Sequence, residues 1–163
     1  MHRKNNFDFL RLIFALFIII THSYPLSGVK ECDLMCRLTN GQLLFSNIGL
    51  KGFFIISGFL VFQSLERSKS IIEYFWKRVL RLIPGLFVVL LITVLLVPFI
   101  YENNSVSYIS NQSMWTYIPR NLFLYNIQFA IPGVFETNPY PSTINGSLWT
   151  IQYEFTMYIM FWS

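Results

Sequence analysis

Arg11 and His22 stand eleven residues apart within one apolar run, residues 9–24. On a helix of 3.6 residues per turn that separation is about three whole turns. Both side chains therefore share a face, roughly 16 Å apart along the axis. An ionisable side chain in hydrocarbon is costly, and by default it marks a substrate path, a relay or a catalytic group facing the protein interior. Of the two, His22 is able to take and return a proton near neutral pH. Taken singly, each has a plainer account: Arg11 as a snorkelling anchor at one membrane surface, His22 as an interfacial residue at the other. Two independent anchors have no reason to share a face, which weakens that account.

Arg78 and Arg81, three residues apart, fall on one side of a helix, and Lys77 lies four before Arg81. Such a cluster can clamp phosphates through charge-assisted, often bidentate hydrogen bonds. The plainer account is that cations belong in a cytoplasmic loop whatever the function. Glu154 sits in a later apolar run, seven residues beyond Ser147 and flanked by Trp149, Tyr153 and Tyr158. A carboxylate there could orient an imidazole and stabilise its protonated form. Cys32 and Cys36 admit either a disulfide or two free thiols.

The elements that must position these groups are membrane helices. Of the 163 residues, 54% are hydrophobic and 12% charged, against about 25% charged in soluble domains. The apolar runs lie near residues 9–24, 43–62, 82–100 and 148–163. A helix needs about 20 residues to cross the hydrocarbon core, so the last run begins a span and stops inside it. The fold expected is all-α: a polytopic transmembrane bundle of about four spans, incomplete, forming one membrane domain over residues 1–163. The first run has a basic start (His2, Arg3, Lys4), as signal peptides do. Arg11 interrupts it and residues 23–26 offer no small-x-small cleavage site, so a retained helix is expected.

Orientation follows from the short loops. Arg3 and Lys4 with Arg67, Lys69, Lys77, Arg78 and Arg81 make seven cations on one side, against Lys30, Arg37 and Arg120 on the other. This predicts a cytoplasmic N-terminus, with residues 63–81 as a cytoplasmic loop. Arg11 then lies toward the inside, and His22 and Glu154 in the outer half. Residues 114–135 contain Pro119, Arg120, Asn121, Asn126 and Pro132, which argue against a lipid-facing span. Their aromatics suit an interfacial helix or re-entrant piece. Gly49, Gly52 and Gly58 suit close helix packing in the second span, where Lys51 is the unexpected charge.

Four segments together resemble the acyltransferase-3 family. Phe7-Asp8-Phe9-Leu10-Arg11 followed by His22-Ser23 resembles its opening helix, Arg then ten residues then His. Residues 52–60 (GFFIISGFL) resemble its second-helix motif, and Arg78-Val79-Leu80-Arg81-Leu82-Ile83-Pro84 its Arg-x-x-Arg-x-x-Pro element. Residues 145–154, with Ser147-Leu148-Trp149 and Glu154, resemble its Ser-Leu-Trp segment ending in Glu. The resemblance implies transfer of an acyl group, usually acetyl from acetyl-coenzyme A, to a hydroxyl of an envelope or secreted glycan. It implies His22 as catalytic, with Arg11 its partner in the motif and Glu154 as the acid of the later motif. Arg78 and Arg81 would hold the coenzyme A donor. The expected partners are membrane lipid, acyl-coenzyme A and a carbohydrate acceptor, in the cell (inner) membrane, with no metal and no nucleic acid. Two rivals remain at this stage: a transporter of a glycan or proton-coupled substrate, and a truncated inactive remnant.

Overall fold

The computed structural model describes residues 6–102 and 107–160. His2, Arg3, Lys4, Asn103 and the end of the fourth run lie outside them. Within the described residues the chain is helical, with no β-strand; an isolated antiparallel bridge pairs Tyr101 with Val134. Three helices are long and apolar enough to cross a membrane: Phe7–Leu26, Phe45–Glu66 and Ile71–Ile100. The chain divides into two compact units, Met1–Gln63 and Ser64–Ser163.

The first unit holds α1 (Phe7–Leu26), the short α2 (Leu34–Leu38) and most of α3 (Phe45–Glu66). α1 ends in a left-handed cap. Gly28 has φ +76°, Val29 N–H donates to the Tyr24 carbonyl at 3.0 Å and Gly28 N–H to that of Pro25 at 3.1 Å. This paired closure satisfies helix-end carbonyls and needs a residue free to take positive φ. α1 and α3 run antiparallel: Phe7 meets Phe59 at 5.4 Å between ring centroids and Phe17 stacks on Phe45 at 4.9 Å. The glycines permit this. A Cβ on Gly49 would stand 2.6 Å from the Phe14 carbonyl oxygen, and one on Gly52 would run into the Phe14 ring.

The second unit holds α4 (Ile71–Leu96), α5 (Gln112–Leu122) and α6 (Leu148–Met160), with 3₁₀ turns at Val97–Ile100 and Tyr108–Ser110. α4 starts earlier than the apolar run suggests. The Ser70 hydroxyl accepts from the Glu73 N–H at 3.2 Å, and the Glu73 carboxylate accepts from the Lys69 N–H at 3.0 Å and pairs with Lys77 at 2.7 Å. Ser-x-x-Glu is a helix-start signal that needs no hydrophobicity. The expected loop of residues 63–81 thus shrinks to residues 67–70, and Arg78 and Arg81 stand on the helix itself.

The stretch expected to be interfacial becomes α5 and an ordered return. α5 packs on α4 and buries Met114, Tyr117 and Asn121 while leaving Trp115 and Phe123 outward. The return is irregular but satisfied. Asn121 accepts from Gln128 N–H at 2.9 Å and donates to its carbonyl at 3.0 Å, and the Gln128 side chain donates to the carbonyls of Ser113 and Ala130. Leu86, Leu90, Val97, Tyr117, Leu124, Ile131, Val134 and Leu148 form the unit's core. Burial pushes the Tyr117 hydroxyl up to about 12.

Candidate functional site

His22 stands on the last full turn of α1, with its side chain 59% exposed. Its Nδ1 lies 3.4 Å from Oε1 of Glu31, whose side chain is 38% exposed. That is within ion-pair range and slightly longer than an ordinary hydrogen bond. The neighbouring residue is treated very differently. Thr21 is wholly buried; its hydroxyl donates to Oδ2 of the equally buried Asp33 at 2.6 Å and accepts from the Ser46 N–H at 3.0 Å.

Asp33 ties three elements together. It caps α2 by accepting the Cys36 N–H at 3.0 Å and takes the Phe45 N–H, at the start of α3, at 2.8 Å. Burial alone would raise its carboxyl. The hydrogen bonds from the Thr21 hydroxyl and from the Cys36, Phe45 and Met35 amides outweigh that and hold it below the usual carboxylate range. A disulfide joins Cys32 to Cys36, so of the two states open to these cysteines the bridged one is present. An open cleft of about 480 Å³ lies beside the bridge, lined by Lys30, Glu31, Arg37 and Asn40 among others.

About three turns back along α1 from His22, the Arg11 guanidinium carbon sits 4.8 Å from the centre of the Phe53 ring on α3. Arg11 thus packs half-buried against a ring of α3. Lys51 is exposed, and Ser57 is buried with its hydroxyl unpaired.

In the second unit Arg78 is only 7% exposed. Its guanidinium carbon lies 5.7 Å from the Tyr74 ring and 5.6 Å from the Tyr158 ring, a cation between two aromatic faces. Both tyrosines are fully buried. The Tyr74 hydroxyl donates to the Tyr158 carbonyl at 3.3 Å, which ties α4 to α6. The Tyr158 hydroxyl donates to Glu154 at 2.5 Å. Arg78 Nε has no hydrogen-bond partner, while Arg81 is exposed. The two arginines expected on one side of a helix are therefore a buried, ring-packed cation and an open one.

Glu154 and Arg78 are brought together, through Tyr158. Each within its own unit, Glu154 meets Tyr158 and His22 meets Glu31. Glu31, Asp33 and Tyr74 were invisible in the apolar pattern, because it flags charges inside spans and these lie in a loop or at a helix start. Gly28 was the available signal, since a helix stop there turns the chain back toward His22. Among the described residues no group of three His, Cys, Asp or Glu side chains is gathered to hold a metal ion.

A family model described as an acyltransferase domain matches residues 4–162. The chain belongs to the acyltransferase-3 family. It is 33% identical over 160 residues to a Shigella phage Sf6 protein named "O-acetyl transferase", which covers 98% of this chain and 45% of that protein. It is 42% identical over 92 residues to "Nodulation protein 10" of Rhizobium leguminosarum bv. viciae, covering 52% of this chain and 23% of that protein. The chain thus spans less than half the length of the curated relatives it matches. No solved structure matches it. Within this acyltransferase-3 chain, all four motif segments and every site residue named above fall inside the matched span.

Proposed function

We propose that the whole protein transfers an acyl group, acetyl from acetyl-coenzyme A, to a hydroxyl of an envelope or secreted glycan, with residues 1–163 forming the N-terminal part of one membrane domain. The observation that carries this is the 33% identity to a protein named "O-acetyl transferase" along 98% of the chain. His22 supplies the chemistry: an exposed imidazole on a membrane helix, beside a Thr21 that is buried and held by Asp33.

In the proposed step His22 takes the proton of the acceptor hydroxyl, whose oxygen attacks the thioester carbonyl. The C–S bond breaks, and the coenzyme A thiolate leaves with the proton returned by the imidazolium. A transient acyl-imidazole is the alternative course of the same transfer. Arg78 and Arg81 hold the donor phosphates, Arg81 as the open contact and Arg78 from its tyrosine seat. Arg11 lines the path, and Glu154 accepts from the hydroxyl of Tyr158, over whose ring Arg78 packs. The reading also places the protein in the cell (inner) membrane with a cytoplasmic N-terminus. The cation distribution supports this, as does a disulfide in residues 27–44, since such bridges persist outside the cytoplasm.

The test is transfer of labelled acetyl from acetyl-coenzyme A in membranes containing the full-length protein. Wild-type membranes should label envelope glycan and His22→Ala membranes should not, at equal expression. Glycan movement without labelling would support a transporter instead, and retained transfer in His22→Ala would remove His22 from the role.

A further inference from the structure

We propose that Glu31 is the positioning residue for His22, holding the imidazole in the tautomer that leaves Nε2 free to accept the acceptor's proton. The inference rests on the acyl-transfer reading above. It concerns a residue outside all four family-like segments.

The geometry assigns opposite tasks to the two ring nitrogens. Nδ1 faces the Glu31 carboxylate at 3.4 Å. A neutral imidazole has one N–H and one lone pair, so an acceptor beside Nδ1 draws the proton there and leaves the lone pair on Nε2. When Nε2 takes a proton during transfer, the same carboxylate faces the resulting imidazolium. Among the described residues of the first unit no other carboxylate pairs with His22.

The surrounding chain is built to hold this pair. The Gly28 cap reverses the chain directly after α1, which brings Glu31 back along the helix end within three residues. On the far side, Asp33 is locked by Thr21, Cys36 and Phe45. The Cys32–Cys36 bridge fixes the residue immediately after Glu31. Thr21 and His22 are adjacent on α1, and Asp33 and Glu31 are two apart in the loop. The buried Thr21–Asp33 bond therefore acts as the hinge pin beside the exposed His22–Glu31 contact. A surface pair left to itself would be worth little; anchoring both backbones reduces the entropy lost in bringing the side chains together.

The experiment uses full-length protein in lipid nanodiscs, [14C]acetyl-coenzyme A, and envelope glycan extracted from cells lacking the gene. Glu31→Ala and Glu31→Gln should lower kcat about 10- to 100-fold and leave the KM for acetyl-coenzyme A unchanged, with Glu31→Asp recovering part of the loss. In a His2→Gln background, ¹⁵N spectra of labelled histidine should show neutral His22 as the Nδ1–H tautomer, shifting to Nε2–H in Glu31→Ala. Wild-type kcat in both Glu31→Ala and Glu31→Gln overturns the proposal. So does a predominant Nε2–H tautomer in the wild type, a measurement that stands even if a variant fails to accumulate. Transfer persisting in His22→Ala would instead sink the functional reading, so the two failures are distinguishable.

Discussion

The two units place their key charged groups in opposite ways. In the first, His22 is presented outward while Thr21, its neighbour, is buried in a polar clamp. In the second, Arg78 is itself buried, between Tyr74 and Tyr158. A group that must exchange protons with a changing substrate has to be reachable, and its precision must come from residues beside it. A group that only supplies charge can be packed into the fabric. It follows that removing His22 should cost function and little stability, whereas removing Arg78 should cost both.

The largest expected effect is loss of detectable transfer in His22→Ala, with thermal unfolding in detergent shifted by no more than about 0.5 kcal/mol, as for an exposed position. A large loss of stability in that variant would break the comparison from the first unit's side.

Arg78 and Arg81 test the second unit. Removing a charge-assisted contact to a phosphate should raise the KM for acetyl-coenzyme A about tenfold or more in either alanine variant. Only Arg78→Ala should also lose stability, by about 1–4 kcal/mol, because it empties the space between two buried rings. Arg81→Ala should stay within about 0.5 kcal/mol of wild type. Arg78→Lys should restore stability poorly, since an ammonium lacks the planar face that stacks on tyrosine. Equal stability of the two alanine variants would show that the tyrosine seat carries no energy.

Asp33 sharpens the contrast by pH. Its carboxyl is held low in the folded chain, so the stabilisation it provides is present above the unfolded carboxylate range, near pH 4, and is lost as pH falls through the lower folded value. Hydrogen exchange over residues 27–45, corrected for intrinsic rates, should show protection constant from neutral pH down to about 4 and falling below it. In Asp33→Asn that protection should be about 1–3 kcal/mol weaker at neutral pH. Protection independent of pH down to 2 would mean the clamp is not electrostatic.

What was legible in the sequence follows from what each signal measures. Apolar runs located the helices because lipid demands them, and Arg11, His22, Arg78, Arg81 and Glu154 stood out as charges against that background. The start of α4 lies outside its apolar run, because Lys77, Arg78 and Arg81 interrupt hydrophobicity without interrupting the helix that Ser70 and Glu73 begin. Glu154 stood out as an acid inside an apolar run, but that pattern carries no information about its partner, the Tyr158 hydroxyl one turn on. Glu31 is an ordinary loop residue until the Gly28 cap folds it back. Which charges meet is set by chain reversals, and hydrophobic pattern carries little information about those.

The smallest effects separate the two units by their glycines. Gly49 lies where a Cβ would stand 2.6 Å from a backbone oxygen of Phe14, so α1 and α3 must part to admit it. Gly85 on α4 has nothing within 4 Å of such a Cβ. Gly49→Ala should destabilise by about 1–3 kcal/mol, the usual cost of overpacking. Gly85→Ala should gain up to about 1 kcal/mol, the helix preference of alanine over glycine. Thermal unfolding of the two variants side by side reads the sign. If both were neutral, the close approach of α1 and α3, and with it the platform that carries Arg11 and His22, would be looser than the packing of Phe14 against Gly49 and Gly52 implies.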